Sequence, residues 1–513
     1  MQQNLFKSEC HIFEVDGRRV LFDVLRGGFF EIDDVTHDVL DACDGQGLEE
    51  IVSGLSERHS PDEVEAVIEE LGQAEIVAGE PLKVAPFHPP SRIEISHLSL
   101  CVTRDNVEAP LPSPVAKGYA SVTPSLSPHV GEREGDRGLG EGVLTPLYMS
   151  EAVALGAIDF LLRESGALRD CEVTFEGNPL LNVPLLRRII EYGEERAGAL
   201  GKRIAFEVVT DGALLTRRVA DYFAEKGVAI VLEIGPEDDP EGVERVASLF
   251  EASCPPATLH LRVVASGRSL NLAGRIEALA RRLPFAASIG VRWANLPAGH
   301  PDALRAEDLP EVRSTLRALS GQTLGHLLRR GETFLEEIEG AMAQLLERQV
   351  LFYSCGAGTR SLTVSPEGGL FPCFDLVGWG PLRMGDIFFG ADADLRRGWL
   401  RDLHVERRAP CRGCWARYLC GGGCRADAVL TTGDAAVPNR VSCERIRHTY
   451  ECAMAVCLEV EERAPGLLSS RYLTAPVPSP EVESGTQELR ENLSLLPDFL
   501  SSKFSLRTRG GPG

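Results

Sequence analysis

Cys411-Arg412-Gly413-Cys414-Trp415-Ala416-Arg417-Tyr418-Leu419-Cys420-Gly421-Gly422-Gly423-Cys424 brings four thiols into 14 consecutive positions. Cys355 and Cys373 precede this stretch and Cys443 follows it, so seven of the chain's 14 cysteines lie between 355 and 443. In a reducing compartment such a cluster points to metal before disulfides. Thiolates are soft donors that select zinc or iron–sulfur clusters over hard cations. One structural zinc takes four ligands, so seven cysteines exceed one site, whereas four plus three make two. A zinc ribbon on Cys411, Cys414, Cys420 and Cys424, with Cys355, Cys373 and Cys443 merely buried, is the alternative. Gly421, Gly422 and Gly423 free the backbone to fold closely around a bulky inorganic core.

The rest of the chain is ordinary in composition. Its 513 residues suggest about three domains. Hydrophobic residues make up 43% and charged residues 25%, as in soluble globular proteins. The net charge of −23 argues against a large phosphate-binding face, hence against nucleic acid. No apolar run reaches the length of a transmembrane helix. Met1 to Cys10 lacks a signal-peptide pattern, so a cytoplasmic location is expected.

Residues 1–82 read as one small module. Short alternating runs at His11–Val15, Arg19–Asp23 and Phe29–Ile32 are separated by Asp16-Gly17 and Gly27-Gly28. Helical periodicity follows over Asp34–Cys43 and Leu48–Arg58. Ser60-Pro61-Asp62-Glu63 is a capping box with proline at the first helical position. Three strands and three helices suggest a winged-helix-like module, followed by a linker over Pro81–Ser91.

Residues 92–340 alternate strand and helix, which predicts a parallel sheet covered by helices. The strands expected are Ile93–Val102, Cys171–Phe175, Ile204–Val209, Val228–Ile234, Thr258–Val264 and Ser288–Trp293. The helices expected are Ser150–Glu164, Leu185–Ala197, Leu214–Glu225, Gly242–Glu251 and Asn271–Arg282. Without a Gly-rich dinucleotide fingerprint, a partial α/β barrel fits better than a Rossmann sheet. Arg104–Pro146 breaks the alternation just after the first strand, where α/β barrels build their sites. Residues 341–460 carry the thiols and few long periodic segments, so they are expected to need metal to fold. Residues 461–513 read as a mostly disordered tail with a weak helical patch at Leu489–Leu500.

The order Cys355, Gly368, Cys373, Cys411, Cys414, Cys420, Cys424, Cys443 resembles the seven-cysteine SPASM pattern of radical SAM peptide maturases, including the quinohemoprotein and thioether types. The resemblance implies a partial barrel of radical SAM type, an N-terminal winged-helix-like module that grips a leader peptide, and a C-terminal SPASM domain with two auxiliary 4Fe–4S clusters. It places Cys355, Cys373 and Cys424 on the first cluster, and Cys411, Cys414, Cys420 and Cys443 on the second. Ser361 stands about where some relatives carry a fourth cysteine for the first cluster, which would leave one iron open.

The family's reactive centre departs from this pattern. A CxxxCxxC loop should follow the first barrel strand, but Asp105, Ala109 and Pro112 stand where its cysteines belong. Cys101 is the nearest thiol and reads as a buried strand residue, and the next along the chain is Cys171. The ammonium-binding Gly-Gly-Glu-Pro turn reads Glu176-Gly177-Asn178-Pro179. A charged hydrogen bond thereby becomes neutral, at a cost of about tenfold in binding, though Glu176 lies two positions earlier. Thr210-Asp211-Gly212 replaces a Thr-Asn-Gly, and a Ser-Ile-Asp-Gly-like strand end is reduced to Glu233-Ile234-Gly235-Pro236.

Three readings follow. In the first, the chain is a pseudo-enzyme with no catalytic residues, binding peptide and serving as partner or electron relay for an active radical SAM maturase, with S-adenosylmethionine binding doubtful. In the second, it is an active peptide-modifying enzyme using an auxiliary cluster. Asp375 and Asp427 are its candidate bases, and solvated loop carboxylates are their plainer reading. In the third, it is a zinc-binding scaffold. His97, His260, Phe206 and Trp293 read as core or rim residues, and Arg407-Arg408 as a solvated loop.

Overall fold

The computed structural model describes residues 4–80, 93–104, 147–235, 240–250 and 259–472. The linker at Pro81–Ser91, the replaced cluster loop with Asp105, Ala109 and Pro112, and the tail with its patch at Leu489–Leu500 lie outside these residues.

Seven parallel strands form the central sheet: β1 (His97–Cys101), β2 (Asp170–Glu176), β3 (Arg203–Thr210), β4 (Ala229–Ile234), β5 (Leu259–Ala265), β6 (Ser288–Trp293) and β7 (Ser361–Val364). Their order is β6-β5-β4-β3-β2-β1-β7, and the short strand Leu370–Phe371 adds antiparallel to β7. The expected strands and helices of this region all occur, with ends shifted by a few residues. β7, which was not anticipated, comes from the cysteine-rich half and pairs with β1, so the two halves share one sheet.

Alternation along each strand sorts two faces. Leu98, Leu100, Val173, Phe175, Phe206, Val208, Leu261, Val263 and Ile289 are buried beneath the helices. The opposite face is polar, and neighbouring strands bring its side chains into register. Glu172 pairs with His97, Ser361 with His97, Thr174 with Ser99, and Glu233 with Arg262. Both ring nitrogens of His97 are engaged, Nδ1 with Ser361 Oγ at 2.8 Å and Nε2 with Thr174 Oγ1 at 3.0 Å. Burial pushes its pKa down. Just past β1, Thr103–Arg104 pairs antiparallel with Leu147–Tyr148, so both ends of the excursion expected over Arg104–Pro146 are pinned together.

In the N-terminal segment, Cys10–Val15, Arg18–Asp23 and Phe29–Glu31 form an antiparallel meander. Its first turn puts Asp16 and Gly17 at positive φ (49° and 80°), as the two-residue hairpin requires. The capping box at Ser60 is present: Glu63 N–H donates to Ser60 Oγ, and the Ser60 N–H donates to the Glu63 carboxylate. Leu21 faces a small core with Val39, Leu40, Ile51 and Val64, while Val20 and Phe22 on the other face join the main core. The module therefore leans on the body through its middle strand. A second small sheet of Asn4–Lys7, Asp44–Gly47 and Val77–Ala78 was not legible, because Asp44-Gly45-Gln46-Gly47 contains no strand-forming residue.

The cysteine-rich half holds a longer element than its sequence suggests. The helix Arg440–Arg463 runs 24 residues and packs on the 22-residue helix Leu309–Arg330. From His448 to Cys457 nearly every side chain is buried, which erases the one-sided periodicity by which a helix is read.

Candidate functional site

Most of the cysteines sit at the ends of short elements or in the turns between them. Cys373 precedes the turn Phe374–Leu376, and Cys411 sits in the short helix Ala409–Arg412. Cys420 closes Arg417–Cys420, Cys424 caps Arg425–Thr432, and Cys443 lies in the first turn of Arg440–Arg463. Gly421, Gly422 and Gly423 all take positive φ (62°, 88° and 74°). A side chain at Gly421 would strike the backbone of Tyr353 and Ser354, so the turn passes directly against the chain leading into Cys355. The same turn aims the N–H groups of Gly422 and Gly423 at the Cys420 thiol, a nest suited to negative charge.

The thiols fall into two groups. Burial pushes the Cys373 thiol well up, and Asp375, Cys424 and Cys355 add to this. Cys424 is likewise raised by its surroundings and by Cys355, while the Asp427 N–H favours its thiolate. In the other group, burial and then Cys420, Cys411 and Cys414 push Cys443 up to about 12. Burial raises Cys420 too, with Cys411 and Cys414 contributing. Thus Cys355 lies close enough to act on Cys373 and Cys424, and Cys411 and Cys414 close enough to act on Cys420 and Cys443, and in each group the neighbours oppose ionisation. A bound cation would reverse that opposition. Among the described residues, no three His, Cys, Asp or Glu side chains converge on the position of a single metal ion. Cys101 is buried and donates to Thr103 O at 3.3 Å.

A cavity of about 500 Å³ opens at the carboxyl ends of the parallel strands. All seven strands, or the turns that follow them, line it, so the sheet curls around it. Glu176 and Asn178 both face it, the latter at φ 55°. Burial, and then Asp375, pushes the Glu176 carboxyl up to about 7, and Ser99 Oγ donates to it at 3.3 Å. Arg292 donates to both oxygens of Glu233 at 3.1 Å and to Asp375 Oδ1 at 2.7 Å. Cys373 and Ser361 reach the same cavity, which therefore borders the first thiol group. A second cavity of about 430 Å³ shares Arg262 and Arg292 with it and holds Cys424, Asp427 and Asn439.

Several sequence expectations change here. Neither Asp375 nor Asp427 is a solvated loop carboxylate. Asp375 accepts from Arg292 and from Asn295 Nδ2, while Asp427 is buried and accepts from Asn439 Nδ2 at 3.0 Å. Arg408 is not a solvated loop residue either. It is buried and donates to Ala436 O and Gly422 O, bracing the glycine turn. The sequence reading missed Ser99, Arg262, Arg292 and Asn295. A signal existed for Arg262 and Arg292, each a charge inside an otherwise apolar strand.

No family model matches the chain. The PqqA peptide cyclase of Xanthomonas axonopodis pv. citri (strain 306) is 24% identical over 361 residues, covering 63% of this chain and 90% of the relative. The PqqA peptide cyclase of Methylobacterium sp. (strain 4-46) is 32% identical over 138 residues, 25% of this chain and 35% of that one. The chain is thus similar to PqqA peptide cyclases over most of their length. Its fold is shared with a solved structure, native anSMEcpe with bound AdoMet and Kp18Cys peptide, at TM-score 0.51 and 18% identity, over 61% of this chain and 91% of that one. A second structure, native anSMEcpe with bound AdoMet, aligns at TM-score 0.52 and 15% identity over 71% of this chain and 99% of that one. In this chain the first thiol group reaches both cavities, through Cys373 in one and Cys424 in the other.

Proposed function

We propose that this maturase relative carries two 4Fe–4S clusters, on Cys355, Cys373 and Cys424 and on Cys411, Cys414, Cys420 and Cys443, and that its barrel does not cleave S-adenosylmethionine. The donor set fits. Seven thiols in groups of three and four suit two polynuclear centres, and N–H groups already aimed at Cys373, Cys420 and Cys424 would stabilise their thiolates. Bound there, the clusters would supply one-electron chemistry.

The single observation behind the second half of the proposal is the absence of any cysteine from Val102 to Asp170. A carboxylate, a methyl and a proline at positions 105, 109 and 112 cannot replace three thiolates. The cavity's own charges agree with this. Arg292 is already held by Glu233 and Asp375, so the protein satisfies these carboxylates internally. The N-terminal module at 1–82, read as winged-helix-like, would bind a precursor peptide. The domain at 92–340 would serve as a degenerate barrel and that at 341–460 as a SPASM domain. The whole would act as a non-catalytic or electron-relay partner in peptide maturation. The name PqqA peptide cyclase, carried by the relatives, supports a peptide as the ligand.

The test is reductive cleavage. Anaerobically reconstituted protein, incubated with dithionite and S-adenosylmethionine, is expected to release no 5′-deoxyadenosine. Turnover above the level of a cluster-free control sinks the pseudo-enzyme reading.

A further inference from the structure

We propose that Asn295 sets the reduction potential of the cluster on Cys355, Cys373 and Cys424, as a positioning residue that donates an amide N–H to the Cys424 thiolate. This rests on the two-cluster reading above. Asn295 lies two residues beyond the end of β6 and lines the second cavity. Its Nδ2 donates to Asp375 Oδ2 at 2.7 Å and to Cys424 Sγ at 3.4 Å. Both neighbours are acceptors, so only the NH2 edge of the amide can face them. Asp375 is itself fixed on its other oxygen by Arg292 at 2.7 Å, and Arg292 by Glu233. A continuous polar chain therefore runs from the barrel cavity to one thiol of the first group.

Reduction adds one electron to a cluster, and part of its density spreads onto the ligating sulfurs. A hydrogen bond to a sulfur stabilises the reduced form more than the oxidised form and raises the potential. The other N–H groups aimed at this group, from Leu376 and Asp427, belong to the backbone and persist in any side-chain variant. The second group has a different side-chain neighbour, Arg447, whose Nη1 lies 4.0 Å from Cys414 Sγ. Asn295 should thus govern one centre and leave the other alone, which gives an internal control.

The experiment is a redox titration of the reconstituted full chain, with mediators supplying the electron and electron paramagnetic resonance resolving the two centres. Asn295→Leu and Asn295→Ala are compared with the parent, and iron and sulfide are counted in each. The expected result is unchanged iron and one centre shifted to lower potential, by about 59 mV for a tenfold smaller reduced fraction in a one-electron couple. The other centre should stay at the parental value. Full iron with neither or both centres moved overturns the proposal. So does a variant that loses about four irons, because Asn295 would then be needed for cluster binding itself. A parent that takes up no iron sinks the cluster reading, and that result is distinct because it appears before any variant is made.

Discussion

At the residue scale, the most unusual group on the barrel's polar face is Glu176. In the unfolded chain its carboxyl titrates near 4.5, and burial raises it to about 7 in the folded protein. The folded state therefore holds a proton across this window that the unfolded state has released, and its stability falls as pH rises from 4.5 to 7. Glutamine cannot ionise and removes that fall. Glu176→Gln is expected to gain up to ~3 kcal/mol at pH 8 relative to pH 4.5. The check is the thermal midpoint of reconstituted variant and parent at the two pH values. An equal difference between them at both would contradict it. The seven thiols were legible at this scale because their spacing is local and their chemistry is narrow. The ion chain was not, because Glu233 and Asp375 are separated from Arg292 by 59 and 83 positions.

At the scale of elements, the loop between Cys414 and Cys420 does two jobs. Trp415 leaves it to stack on His11 with ring centroids 4.2 Å apart, and it meets Phe22 edge-on at 5.8 Å. Two residues later, Arg417 is buried and pairs with Glu9 and, at 3.1 Å, with Glu406. At the far end of the same face, Arg18 pairs with Glu459 at 2.8 Å on the long helix Arg440–Arg463. The N-terminal module thus rests on the loop that carries the second thiol group. Trp415→Ala should cost about 3 kcal/mol and loosen the hairpin Cys10–Asp23, read as faster amide hydrogen exchange there. Exchange at the parental rate in the hairpin would show that the ion pairs alone hold the module. The barrel's strands and the helices between them were readable because each keeps its own period. The long helix was not, since tertiary burial on all sides removes the polar face that marks its period.

At the scale of the molecule, one sheet joins two unlike halves. β7 follows Cys355 in the chain and pairs with β1, so the first thiol group is built onto the barrel rather than appended to it. The sheet curls around a polar cavity of about 500 Å³, while no cysteine lies between Val102 and Asp170. The α/β fold was legible because strand–helix alternation is a long-range pattern. The sharing of a sheet between the halves was not, because Ser361–Val364 is too short to announce its partner. The most direct measurement is the iron and acid-labile sulfide content of the anaerobically reconstituted chain. Two clusters of four give about eight irons per chain. About twelve, which would require a third cluster above the opening strand, would contradict the account.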